Sequence, residues 1–274
     1  MAIPSLPLAD GGSIPQLALG TWELTGSKCV QAVEAALELG YTHIDTADLY
    51  NNHRDIAKAI SGRVRESFFL TSKVWHSNLK GPDVLKCAQR FLRELNTPYL
   101  DLLLIHWPNR GIPLSSTLPA FEQLLAEGKI RHFGVSNCTP RHIADIRKAA
   151  PDLPICCEQV EFHPMFYQKE LLEYCKADNL VLEAYSPLGR AQELKRSEIA
   201  QIAAKHDKTP AQVVLRWELD LGIVPLPKAS SRAHLAENLD VFDFKLDEGD
   251  KRTLESLPQK RLVDLPLLGD FNYQ

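Results

Sequence analysis

The sequence predicts an α/β fold of the (β/α)8 barrel type, and three observations carry that reading. Short apolar runs of strand type alternate with longer segments of helical period along nearly the whole chain. Eight such runs can be drawn, beginning near Leu17, Thr42, Phe68, Asp101, Arg131, Ile155, Leu180 and Ile223. The length of 274 residues suits one barrel of about 250 residues better than two smaller units. Residues 1–274 are therefore read as a single domain.

Taken in order, Leu6-Pro7-Leu8 and Ile14-Pro15-Gln16-Leu17 flank the turn signal Asp10-Gly11-Gly12, which predicts an N-terminal β-hairpin ahead of the barrel. Val30, Val33 and Leu37 form a short helical stripe, and Val84, Leu85, Ala88, Phe91, Leu92 and Leu95 a longer one. Thr139-Pro140 and Thr209-Pro210 each place a cap residue before a first-turn proline, and Thr209 to Gln212 reads as a capping box. Leu102 to Ile105 is apolar on both faces, as expected of a strand covered by helices outside and packed side chains inside. Asp247 to Leu257 is a further amphipathic helix near the C-terminus, and Arg261 to Pro266 has too few periodic residues for another, predicting a surface strap.

The net charge is −4, with no basic run, so nucleic acid is not an expected partner. No apolar run approaches the roughly 20 residues of a membrane helix, and Met1-Ala2-Ile3-Pro4 resembles no leader, so a cytoplasmic, monomeric protein with no membrane partner is expected. The six cysteines contain no C-x-x-C pair and fit reduced, buried thiols better than disulfides or zinc. H-E-x-x-H is absent, and no metal is expected. G-x-G-x-x-G is also absent, so any dinucleotide binds without the Rossmann fingerprint.

The chemistry gathers at strand exits. Gly40 to Tyr50 begins as a buried strand and ends as the loop leaving it, placing Asp45 and Tyr50 there. Phe68 to Val74 delivers Lys73, and Asp101 to Pro108 delivers His106. Singly, these residues read as a loop cap, a packed ring, a solvated strand end and a half-buried histidine. At the exits of neighbouring parallel strands they converge on one rim. There Lys73 is expected to lower the Tyr50 phenol from its usual value of about 10, Asp45 to hold the lysine, and His106 to hydrogen-bond a substrate oxygen.

A second group suits a dinucleotide. The eighth strand runs into Lys228-Ala229-Ser230-Ser231-Arg232 and a helix carrying His234, Glu237 and Asn238. Cations, hydroxyls and a helix N-terminus at that point of a barrel suit a phosphate, although an ordinary capped helix reads the same way. Ser136, Asn137 and Gln159 could hydrogen-bond a carboxamide, and Tyr185 offers a ring for stacking. Turn, cap and packing roles are their alternatives.

The blocks Gly40 to Tyr50, Thr71-Ser72-Lys73, Leu104-Ile105-His106-Trp107-Pro108 and Gly134-Val135-Ser136-Asn137 resemble, in order and spacing, the signatures of the aldo-keto reductase superfamily. The resemblance covers nearly the whole chain and is nearest to short bacterial members such as the 2,5-diketo-D-gluconate reductases. It implies a TIM barrel plugged below by the hairpin, with the tail over the substrate site. The implied activity is NADPH-dependent reduction of aldehydes or ketones, with Asp45, Tyr50, Lys73 and His106 as catalytic tetrad and Tyr50 as proton donor. It also implies a cofactor site of Thr21, Trp22, Asp45, Ser136, Asn137, Gln159, Tyr185, Ser186, Pro187, Leu188 and the Lys228 to Asn238 block. The substrate wall implied is Trp22, Tyr50, Trp75, His106 and Trp107. The sequence departs from the pattern at His53, Cys138, Glu158, Ala229 and His234, which stand for a glutamate, an aromatic residue, an asparagine, a serine and an arginine respectively. The last two bear on the strength of phosphate binding. Two rival readings are a Schiff-base aldolase using Lys73 and a non-enzymatic cofactor-binding subunit.

Overall fold

The computed structural model describes residues 3–265 and 270–273. Strands β1 (Ser5–Pro7) and β2 (Ser13–Pro15) form the antiparallel hairpin expected around Asp10-Gly11-Gly12. The following strands are β3 (Leu19–Gly20), β4 (His43–Asp45), β5 (Phe69–Val74), β6 (Leu100–Ile105), β7 (Ile130–Ser136), β8 (Cys157–Glu161), β9 (Val181–Tyr185) and β10 (Val224–Pro225). Each begins within two residues of its predicted start. They form one eight-stranded parallel sheet in sequence order.

The sheet closes on itself. Ala18 N–H donates to Pro225 O and Gly20 N–H to Pro227 O, both at 3.1 Å, joining the first barrel strand to the last. At this seam a Cβ on Gly20 would stand 2.6 Å from Leu226 O, so the close approach requires glycine.

Helices α1 (Gly26–Leu39), α2 (His53–Ile60), α3 (Gly81–Leu95), α4 (Leu114–Ala126), α5 (Pro140–Ala149), α6 (Lys169–Ala177), α7 (Ser197–His206), α8 (Pro210–Asp220), α9 (Arg232–Leu239) and α10 (Glu248–Glu255) follow the strands. The stripe predicted on α3 is its inner face: Val84, Ala88, Phe91 and Leu95 are buried. Thr139 and Thr209 both close capping boxes, accepting from the backbone N–H of His142 and Gln212. The Thr139 box escapes the sequence pattern because histidine, rather than Glu or Gln, supplies its return bond.

Alternation along the strands divides the core. Ile44, Leu70, Leu103, Phe133 and Leu182 pack outward under the helices. Phe69, Leu102, Leu104, Cys157, Val181 and Val224 pack with Leu8 and Ile14, so the hairpin plugs the barrel's lower end. Above that plug the interior is polar: Gln159 of β8 hydrogen-bonds Asp45 of β4, a contact that crosses the barrel.

The C-terminal strap is neither helix nor strand over residues 261–265, and Pro266, at its predicted end, lies outside the described residues. Glu161 anchors it, its carboxylate accepting from Leu262 N at 2.7 Å and Val263 N at 2.8 Å. Further on, Phe271 packs edge-on to Trp107 and Tyr273 donates to Asp145. All six cysteines are buried and unpaired. Among the described residues no helix is long and apolar enough to cross a membrane.

Candidate active site

Asp45, Tyr50, Lys73 and His106 meet at the carboxyl rim. Lys73 is wholly enclosed, and its ammonium donates to Asp45 Oδ1 at 2.6 Å, Asp45 Oδ2 at 2.8 Å and Thr46 O at 2.9 Å. These three bonds use its full donor capacity. Burial works against its charge, but Asp45 and then Tyr50 outweigh it, and the Lys73 pKa lies above the usual lysine value.

The loops around the pair are tied to one another. Thr21 Oγ1 donates to Asp45 O at 2.8 Å, Thr46 Oγ1 donates to Asn52 Oδ1, and Asn52 Nδ2 donates to the carbonyls of Thr21 and Leu24. Asn52 thereby braces the single helical turn Asp48–Tyr50 that presents the phenol. The Tyr50 ring centroid is 5.1 Å from Lys73 Nζ, 4.9 Å from the Trp22 ring and 6.0 Å from the His106 ring.

One electrostatic expectation is corrected here. The Tyr50 phenol is raised, not lowered: desolvation outweighs the downward pull of Lys73, and Asp45 adds to the rise. The tyrosine is therefore held firmly in its protonated, donating form. His106 is pushed well below the usual histidine value by burial, with Lys73 and His76 acting in the same direction, so its imidazole is neutral. A neutral imidazole can donate one hydrogen bond without adding a charge.

Beside these groups lie the residues suited to a carboxamide. Gln159 Nε2 donates to Asp45 Oδ2 at 2.9 Å and to Glu183 Oε2 at 3.1 Å, which leaves its carbonyl oxygen as the accepting end. Asn137, in the left-handed region at φ 60°, donates to His106 O and Ser136 Oγ and accepts from the Tyr185 hydroxyl at 2.7 Å. The Tyr185 ring is thereby fixed against the rim. Ser186 continues with φ 51°, Pro187 is buried and Leu188 partly buried.

At the far end, Ser231 caps α9 by accepting from His234 N, and Ser230, Ser231, Arg232 and His234 are all exposed. The cations expected there have carboxylate partners: Arg232 reaches Glu38 at 2.6 Å and Lys228 lies 3.7 Å from Glu23. Glu237 instead accepts from Thr209 Oγ1, joining α9 to the cap of α8, while Asn238 and Ala229 are buried. Among the aromatic walls, Trp22 is exposed, Trp75 packs edge-on to His106, and Trp107 is buried beneath Phe271.

A model of the aldo/keto reductase family matches residues 16–258. The chain belongs to that family. It is 41% identical over 256 residues to the 9,11-endoperoxide prostaglandin H2 reductase of Trypanosoma cruzi, covering 91% of this chain and 90% of that one. It is 40% identical to the glyoxal reductase of Bacillus subtilis, with 94% of each covered. The crystal structure of an aldo/keto reductase from Brucella melitensis superposes with a TM-score of 0.88 at 38% identity, covering 93% of this chain and 99% of that one. The aldose reductase of Schistosoma japonicum superposes with a TM-score of 0.92 at 32% identity, covering 97% and 96%. Membership makes the protein an oxidoreductase of carbonyl chemistry, in a family served by nicotinamide dinucleotides.

The departures from the aldo/keto reductase pattern are absorbed locally. His53 packs over Ser72 Oγ at 3.0 Å with Glu94 on its other nitrogen. Glu158, buried behind the Asn137 turn, accepts from Cys138 N at 2.8 Å, and burial raises it well above the usual carboxyl range. Sequence reasoning missed Asn52, Glu161 and Glu183. A lone acid inside an otherwise apolar strand, as in Val181-Leu182-Glu183-Ala184-Tyr185, was the available signal for the last.

Proposed function

We propose that this protein is an NADPH-dependent reductase of small aldehydes and ketones, acting as one cytoplasmic, monomeric domain over residues 1–274. The observation that carries the reading is the enclosed Lys73–Asp45 pair beside a protonated Tyr50 and a neutral His106. When bound, the cofactor supplies hydride to the carbonyl carbon. Tyr50 gives its proton to the carbonyl oxygen, His106 orients that oxygen, and Lys73 stabilises the charge that develops on the phenol as the proton leaves. Asp45 keeps the lysine charged and in place.

The residues fit the cofactor. Gln159, its amide nitrogen engaged by Asp45 and Glu183, keeps its carbonyl oxygen to accept from a carboxamide N–H, Tyr185 is locked for stacking by Asn137, and the capped start of α9 offers Ser230, Ser231, Arg232 and His234 for the 2′-phosphate with Lys228 beside it. The short connections after the fourth and seventh barrel strands are read as giving few substrate walls, which suits dicarbonyls such as methylglyoxal or keto-sugar acids; one relative is named a glyoxal reductase. The aldolase reading fares worse. Schiff-base chemistry needs a free amine, and Lys73 is held as an ammonium with all its hydrogens engaged. An intact tetrad also speaks against a silent cofactor-binding subunit.

The test is NADPH oxidation followed with methylglyoxal, keto-sugar acids, aromatic aldehydes and steroids. Turnover of the small carbonyls is expected. A strong preference for steroids would overturn the open-pocket reading, and no turnover of any carbonyl would overturn the reductase.

A further inference from the structure

Beneath the tetrad the barrel holds a carboxyl that the reaction scheme leaves unused. Glu183 of β9 is completely enclosed. Its Oε2 accepts from Gln159 Nε2 at 3.1 Å and lies 3.5 Å from Cys157 Sγ, while Oε1 has no hydrogen-bond partner and stands 3.8 Å from His43 Nε2. Gln159 therefore spans two carboxyl groups with one amide, Asp45 on one side and Glu183 on the other. Resting on the reductase reading, we propose that Glu183 is a positioning residue: neutral, it anchors Gln159 for the carboxamide of the cofactor, and ionised, it opposes proton donation by Tyr50.

Two arguments support this. Both hydrogens of the Gln159 amide are consumed by Asp45 and Glu183, so its carbonyl is forced toward the cofactor position; without Glu183 the amide is free to turn. The second argument is the charge balance. Lys73 and Asp45 neutralise each other, and a second anion leaves the enclosed group with a net negative charge. That charge opposes the negative charge growing on the Tyr50 oxygen as its proton departs.

The groups facing Glu183 define when this happens. From β4 come Asp45 and His43, the latter held neutral with a pKa of about 3 by burial. From β5 comes Lys73, and from β8 comes Cys157, whose thiol burial pushes far up. Val224 is the apolar register partner on β10. Burial and then Asp45 raise the Glu183 carboxyl to about 7, against the weaker pull of Gln159 and Lys73. Its ionisation thus falls near neutral pH, and reduction is expected to slow as pH rises through it.

The test uses Glu183→Gln, which keeps an acceptor oxygen but cannot ionise, and Glu183→Leu, which removes the acceptor. At saturating NADPH and carbonyl, wild-type kcat is expected to fall about fivefold or more between pH 6 and 8, and this limb is expected to be lost in Glu183→Gln. Glu183→Leu is expected to weaken NADPH binding about tenfold, read by quenching of protein fluorescence. A purely structural role would lower the melting temperature of both variants and leave the shape of the pH profile unchanged. An unchanged limb in Glu183→Gln, or unchanged NADPH affinity in Glu183→Leu, overturns the proposal. Infrared titration of the buried carboxylic-acid band, wild type minus Glu183→Gln, needs no turnover: a band lost near neutrality supports the proposal and its absence sinks it. An inactive wild type that still shows the band would count against the reductase reading alone.

Discussion

A half-buried phenol beside an ammonium is pulled in two directions, and in Tyr50 desolvation wins. Tyr50→Phe keeps the ring's packing on Trp22 but removes the hydroxyl, so carbonyl reduction is expected to fall by roughly 10²–10⁴-fold. Cofactor affinity should change little; a variant keeping most of its kcat would remove Tyr50 from the proposed role. Lys73→Met should be as damaging to turnover and far worse for the fold. It leaves Asp45 buried without its cation, a loss of about 3 kcal/mol or more, and urea denaturation of the two variants separates these effects. The meeting of Asp45, Tyr50, Lys73 and His106 at one rim was legible because strand exits can be read from apolar patterns. The direction of the Tyr50 shift was not, since a sequence names the neighbouring lysine but does not say how completely the hydroxyl is desolvated. Glu183 was hidden for a related reason: its meaning lies in Gln159, its register partner on β8, and in His43, which reaches it only across a closed barrel.

At the level of elements, strands and caps were the most legible features, because each depends on a few adjacent residues. Thr209-Pro210-Ala211-Gln212 announces its helix start, and the cap forms as written. What no local pattern could show is that the same hydroxyl also donates to Glu237 at 2.6 Å, tying the start of α8 to α9. Thr209→Ala should therefore cost about 1–2 kcal/mol, the value of a lost cap plus its second hydrogen bond. It should also loosen α9, whose first turn carries Arg232 and His234, and weaken NADPH binding. Thr139→Ala provides the comparison: it loses a similar box on α5, together with a bond to Tyr273 O, but has no link to α9. Equal NADPH affinity in both variants would show that α9 holds its place without Thr209.

For the whole molecule, the barrel count and the plug followed from the alternation of elements and from family resemblance, whereas the partners of the surface cations did not. Charges far apart in sequence, such as Glu38 and Arg232, meet only because α1 and α9 become neighbours when the barrel closes. That meeting bears on cofactor choice. Both side chains are more than half exposed, at 55% and 58%, so the ion pair itself is worth no more than about 1 kcal/mol. Any 2′-phosphate that recruits Arg232 must first displace Glu38 and then tolerate its charge nearby. NADH, which lacks that phosphate, meets neither cost. Glu38→Gln should thus tighten NADPH up to about fivefold and leave NADH almost unchanged. Stability reports this without any substrate: a ligand at 100 times its Kd adds about 2.7 kcal/mol to unfolding. In a chain of this size that raises the melting temperature by about 5 °C or more. Melting curves at matched concentrations of NADPH and NADH, in wild type and Glu38→Gln, should show a larger shift with NADPH and a further gain for it alone in the variant. A parallel gain with NADH would mean that Glu38 acts on the common part of the dinucleotide. No gain with either cofactor would mean that Arg232 points elsewhere when the cofactor binds.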